Sequence, residues 1–194
     1  MTQLFSHCTT RRSLLNKGGV ALSSAGLLAL AGTSAASAFT RSDNPAQDIQ
    51  LLNAAIALEH EGIAAYSIAA GSGLLDPAVV DIGVTFRSHH QHHRDELVRA
   101  VEVLGGSPVA ARSEAEYAEA IGAASLANQA DVLRLALRLE TGAANAYLGL
   151  IPSLSTPEQH QLAARMAGDE AYHAAVLDRA LGNPIPAQGM IFGG

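Results

Sequence analysis

Leu58-Glu59-His60-Glu61-Gly62-Ile63-Ala64-Ala65-Tyr66 and Leu139-Glu140-Thr141-Gly142-Ala143-Ala144-Asn145-Ala146-Tyr147 are the two stretches whose reading decides the fold. In each, a Leu-Glu pair is followed by a Tyr seven residues after the Glu, and the two copies are 81 residues apart. Glu59 lies in a stripe with Leu52, Ile56, Ile63 and Tyr66, and Glu140 in one with Leu133, Leu137, Ala144 and Tyr147. Steps of three and four residues are those of a helix face turned to a core. A second repeat accompanies the first. His90-x-x-His93 followed by Leu97 matches Glu170-x-x-His173 followed by Leu177 at an offset of 80, in line with Phe86 and Leu104 on one side and Met166 on the other. A similarity held across two helices in each half predicts two related helical hairpins around a pseudo-two-fold axis.

Start and stop signals mark the four helices. Asn44-Pro45, with Asp48 in the first turn, opens the first, which runs from Ile49 to about Ala70 and stops at Gly71 and Gly73. Asp76-Pro77 opens the second, which continues to Leu104 before Gly105-Gly106; a third runs from about Ala127 to Leu150 ahead of Pro152. Thr156-Pro157-Glu158 opens the fourth, closing at Leu181-Gly182. Short links join the first to the second and the third to the fourth, whereas the second and third need a long crossover, within which Ser113-Glu114-Ala115-Glu116 fits a capping box. The expected architecture is an all-α four-helix bundle over 39–182, followed by an extended tail over 183–194.

Composition agrees and excludes other classes. The 194 residues are 48% hydrophobic and 15% charged, with four Phe, four Tyr and no Trp, which disfavours a β-sandwich or barrel. A formal charge of −6 with singly scattered cations offers no basic stripe for nucleic acid, and one cysteine excludes a disulfide scaffold. The first 38 residues stand apart. They contain no Asp or Glu, carry Arg11, Arg12 and Lys17, then an apolar core from Val20 to Ala31, and end at Ala36-Ser37-Ala38, an A-x-A cleavage pattern. Thr10-Arg11-Arg12-Ser13-Leu14-Leu15 resembles a twin-arginine signal, which implies export of a folded protein by the twin-arginine machinery to the periplasm. The alternative is an uncleaved membrane anchor over 18–38. Cleavage after Ala38 leaves 156 residues with nine Arg against eighteen acids, a net charge of −9.

The chemistry lies in the seam. Three carboxylates and three imidazoles turned into an apolar core are costly unless paired, and a metal centre meets that requirement economically. The i, i+3 spacing in His90-x-x-His93 and Glu170-x-x-His173 puts both members of each pair on one face. Buried hydrogen bonding, for instance to Tyr66 or Tyr147, is the alternative role for the same residues. His89 and His92 fall off the seam, although His89 and His93 at i, i+4 also suit zinc. Glu61 falls on the far side from Glu59, toward the surface, and His60 and His160 fit no pattern.

The ordered set Glu59, His90-x-x-His93, Glu140, Glu170-x-x-His173 resembles the ferritin-like superfamily over nearly the whole mature chain, and within it the exported bacterial ferritin-like proteins related to plant desiccation-associated proteins. Such bundles supply a Glu from each of two helices and Glu-x-x-His from each of the other two. The resemblance implies Glu59, His90, His93, Glu140, Glu170 and His173 as ligands of two non-haem iron ions, with manganese or zinc as alternatives, and Tyr66 and Tyr147 as hydrogen-bond partners of ligand carboxylates. It implies redox chemistry of ferroxidase or peroxide type, with a small oxidant and metal ions as partners; a homo-oligomer is one assembly that the sequence leaves open. His90 is the departure, since the family pattern has a bridging Glu there. A neutral imidazole binds one ion and cannot bridge two while it keeps its proton. That leaves open a hydroxide-bridged pair, a mixed pair, a single zinc or iron, or a non-catalytic stress protein with an empty site. Glu96, one turn after His93, is a substitute carboxylate.

Overall fold

Proline lacks the amide proton that a first helical turn leaves unpaired, and Pro45, Pro77 and Pro157 each begin a helix. The computed structural model describes residues 43–193, so the leader read at 1–38 lies outside the described residues. Over that range the chain forms α1 (Pro45–Gly71), α2 (Pro77–Val103), α3 (Glu114–Ala120), α4 (Gln129–Leu150) and α5 (Pro157–Ala180), and no strand among the described residues. The all-α reading holds.

Caps explain most of the boundaries. The Asn44 side chain accepts from the Gln47 amide, Asn128 from Asp131, and Ser113 and Thr156 each complete a reciprocal capping box. Asp76 departs from the expected pattern. Its carboxylate makes no cap; it accepts from Gln129 Nε2 at 3.1 Å while its amide donates to Gln129 Oε1 at 2.7 Å, tying the start of α2 to the start of α4. The helices α2 and α5 end on Gly105 and Gly182, both at φ +77°, a left-handed conformation that a side chain would oppose.

α1 packs along α2, and α4 along α5, as two antiparallel hairpins. Asn44, Gln47 and Asp48 bond to Ser153 and Ser155, so the start of α1 meets the α4–α5 turn and the two hairpins run in opposite senses. The crossover therefore travels the length of the bundle from Leu104 to Asn128. It is strapped to α1 by Asn53, whose side chain bonds Ser107 O at 3.0 Å and the Val109 amide at 2.7 Å, and by His60 Nε2 at 3.3 Å from Val109 O. Leu51, Leu52, Ile56, Leu97, Val101, Leu150 and Leu154 fill one end of the bundle; Tyr66, Phe86, Leu133 and Leu177 form a smaller cluster at the other. The polar centre lies between them. After α5 the chain has no regular structure to residue 193, where the Gly193 amide donates to Asn145 at 2.7 Å. No described helix is long and apolar enough to cross a membrane.

Candidate metal centre

Every residue expected to converge does so. Glu59, His90, His93, Glu140, Glu170 and His173 are all buried, with Tyr66 and Tyr147 beside them. Two overlapping groups of four donors form, Glu59, His90, His93 and Glu170 in one and His90, Glu140, Glu170 and His173 in the other, the donor atoms of each lying within 4.8 Å of one another. Glu170 and His90 belong to both.

The bonds that hold these side chains cross from one hairpin to the other. Tyr66 on α1 donates to Glu140 on α4, and Tyr147 on α4 donates to Glu59 on α1. His93 presents Nδ1 to Glu170 at 3.1 Å and donates from Nε2 to Asp169 at 3.1 Å. His173 presents Nδ1 to Glu170 and Glu140 at 3.1 and 3.3 Å, and its Nε2 lies 2.9 Å from Nδ1 of His89. Asp169 and His89 each precede their own helix's histidine by four residues, yet each serves the histidine of the opposite hairpin. Their own separation is 80 residues, the offset of the repeat. Sequence reading placed His89 off the seam and passed over Asp169. The signal was present in the alignment of His89-His90-Gln91-His92-His93 with Asp169-Glu170-Ala171-Tyr172-His173.

Where a bridging Glu was expected, His90 instead spans two carboxylates as a donor, from Nδ1 to Glu59 at 2.7 Å and from Nε2 to Glu140 at 3.2 Å. The helix opposite makes room for it. A Cβ on Gly62 would stand 3.0 Å from His90 Nδ1 and 3.1 Å from Cε1, while the matching position in the second half is Ala143. Gly62→Ala tests this fit. Alanine should gain about 1 kcal/mol in helix propensity, but against a ring fixed at both nitrogens the overpacking cost of about 1–3 kcal/mol should win, so thermal unfolding should come earlier. A variant as stable as the parent would mean that the ring moves freely.

Charges in the centre are mutually adjusted. Burial would raise the Glu59 carboxyl, but the charge and hydrogen bonds of His90, then those of His93, hold it at about 2. Glu140 is likewise held well below the ordinary range against its burial by His90 and by hydrogen bonds from Glu170 and His173. Glu170 goes the other way, raised by burial and by its contact with Glu140. Burial would lower His93, yet its hydrogen bonds to Glu170 and Glu59 lift it to about 10. His90 is raised well above the usual imidazole value by Glu170, Glu59 and Glu140, against burial. No buried side-chain polar atom among the described residues lacks a partner.

The remaining candidates lie elsewhere. Glu96 pairs with Arg99 at 2.5 Å and faces His92 at 3.8 Å on the surface, so it supplies no carboxylate to the centre. His160 Nε2 lies 2.9 Å from Leu154 O. Glu61 corrects the surface reading: it is half-buried, its carboxyl is raised by desolvation, and it lines a cavity on the side of the centre toward the α1–α2 turn.

A family model described as a ferritin-like domain matches residues 47–183. The chain belongs to the ferritin-like domain family. Its ferritin-like fold is also that of a conserved hypothetical protein from Mycobacterium tuberculosis, whose crystal structure superposes with a TM-score of 0.61 at 24% identity, covering 75% of this chain and 99% of that one. No curated protein matches it. Within the ferritin-like bundle, the buried His and Glu groups are arranged so that they could hold a metal.

Proposed function

We propose that this is a metal-binding ferritin-like protein whose centre holds two non-haem ions, iron first and manganese or zinc in its place. The observation that carries the reading is the pair of overlapping four-donor groups, which share Glu170 and His90. The donor chemistry fits. Glu59, His93 and Glu170 would serve one ion and Glu140, His173 and Glu170 the other, a carboxylate–imidazole set suited to iron, manganese or zinc. His90 has one nitrogen to give once its proton bonds are released. Asp169 and His89 hold the Nε2 sides of His93 and His173, leaving each Nδ1 facing inward, and Tyr66 and Tyr147 steady Glu140 and Glu59. Bound iron would supply redox chemistry toward oxygen or peroxide. Loading requires His90, His93 and His173 to give up protons from the nitrogens that bind.

A second reading has its own support. Because His90 reaches both Glu59 and Glu140 and supplies a cationic partner to both, the same residues also fit a non-catalytic, stress-type protein holding one zinc or none. Metal analysis of protein produced with iron, manganese or zinc, with oxygen and peroxide turnover, separates the two. Two equivalents of iron or manganese with turnover are expected; one zinc without turnover, or no metal, would sink the first reading. Glu140→Ala and Glu170→Ala should each lower the metal content and remove the metal-dependent stabilisation, about 4 kcal/mol per site at a thousandfold excess over Kd, and with it the rise in melting temperature. We further propose that residues 1–38 direct twin-arginine export to the periplasm with a cut after Ala38. The mass of the chain from the cell envelope reports that cut, or the uncleaved anchor in its place.

A further inference from the structure

The pseudo-two-fold axis that exchanges the hairpins also exchanges the two ends of the bundle, and the ends are not filled alike. At the packed end, Leu150 and Leu154 are each 1% exposed and close the core. An offset of 81 takes them to Ala69 and Gly73 at the other end. Across from these, Ala163 at the packed end matches Gly83 at an offset of 80. Two of these shortened positions, Ala69 and Gly83, border a cavity of about 100 Å³ at this end. Val79, Phe86, Leu133, Ala136 and Leu177 supply much of its wall, and Ile121 and Leu126 of the crossover line it as well.

The polar part of the wall belongs mainly to the centre already described: Tyr66, His90 and Glu140, with Glu61 set apart from them. Those three are committed to one another, Tyr66 to Glu140 and His90 to Glu59 and Glu140. A resident water needs two to four polar partners, and an apolar cavity of about 150 Å³ stays dry and takes benzene or xenon. The wall of this cavity is apolar in the same way and its volume somewhat smaller.

We infer that this end of the bundle is a binding chamber for one small apolar organic molecule, a ring or short chain of about four to six carbons, held against Tyr66, His90 and Glu140. It names the class of organic molecule that reaches the proposed metal centre and rests on that reading for its role there; the binding itself requires no metal. Shape and an apolar wall select the occupant: the wall disfavours ions and polar molecules by desolvation, and the volume excludes long acyl chains.

The test uses chelator-treated full-length mature protein titrated with benzene, and with pyrazine as a polar ring of the same size. Benzene should bind saturably, with nuclear Overhauser contacts to the methyls of Ala69, Ala136 and Leu133 and shifts at Tyr66 and His90; pyrazine should bind at least tenfold more weakly. Ala69→Leu, which restores the side chain found at the packed end, and separately Ala136→Leu should each weaken benzene at least tenfold while leaving metal content at the parental level. Absence of saturable binding, contacts elsewhere on the protein, equal affinity for pyrazine, or undiminished binding in the variants would overturn the inference. If the variants fail to fold, the contacts in the parent decide. Benzene binding by a protein that takes no metal would refute the metal reading and leave the chamber standing; metal without benzene binding would do the reverse.

Discussion

His90→Ala should be the most damaging single substitution in the metal-free protein, costing about 3–5 kcal/mol, the range for stripping one partner from a buried charged network. His90 is the donor to both Glu59 and Glu140, and its charge is a leading reason both carboxyls stay ionised in an apolar core. At roughly 2–4 °C per kcal/mol for a domain of this size, the melting temperature in chelator should fall by about 6–20 °C. His90→Glu should separate two effects that alanine merges. It places a fourth carboxylate beside Glu59, Glu140 and Glu170, so the chelated protein should be destabilised as well, yet it supplies the bridging group that the family pattern has and should tighten metal binding. Melting curves with and without metal check both. An alanine variant within about 1 kcal/mol of the parent in chelator would mean that the carboxylates find other partners or take up protons on folding.

The metal-free protein should lose stability toward both pH extremes, with the acid limb set by Glu59 and the alkaline limb by His93. Glu170, raised from 4.5, contributes below 4.5 and loses that contribution as the pH rises, which places the maximum toward the acid end of the interval from 4.5 to 6.5. The Glu59 carboxyl is depressed from 4.5 to about 2, so its contribution is complete above 4.5 and disappears as the pH falls through 2. His93 is raised from 6.5 to about 10, so its contribution is complete below 6.5 and is lost as the pH rises toward 10. His90 and His173 are raised too and add to the alkaline loss. Metal ions compete with these protons, so affinity should increase over the alkaline range in which the empty protein weakens. The rise in melting temperature on adding metal should therefore grow with pH above 6.5. A metal-free melting temperature that stays level from pH 6.5 upward would contradict the assignment of charged histidines to the centre.

The helices were legible because their signals are local. Prolines, caps, glycine stops and a 3.6-residue stripe act within one element, and the expected boundaries agree with the observed ones to within a few residues. Asp76 fails as a cap because Gln129, distant in sequence, claims its carboxylate. The six inward residues could be read because each interrupts an apolar stripe. Their outer partners could not be read from stripes, since His89 and Asp169 act across the groove between α2 and α5 and count only once the neighbouring helix is known. Glu61 was misplaced for a related reason: angle around α1 turns it from the core, but Ile121 and Leu126 of the crossover line the same cavity and help bury it. Helical geometry alone carries no knowledge of that cover.

The crossed pairs have the logic of an isologous dimer interface, in which a residue on one copy meets its counterpart's partner on the other. In a true homodimer of hairpins any substitution would appear twice. A histidine at position 90 would then come with a second at the position of Glu170, and a histidine at 89 with one at 169. The covalent crossover removes that constraint. It lets one half keep Asp169-Glu170 while the other carries His89-His90, with Gly62 opened for the ring on that side alone. One continuous chain thus allows the two sides of a symmetric scaffold to be tuned independently, to different charge and different proton affinity.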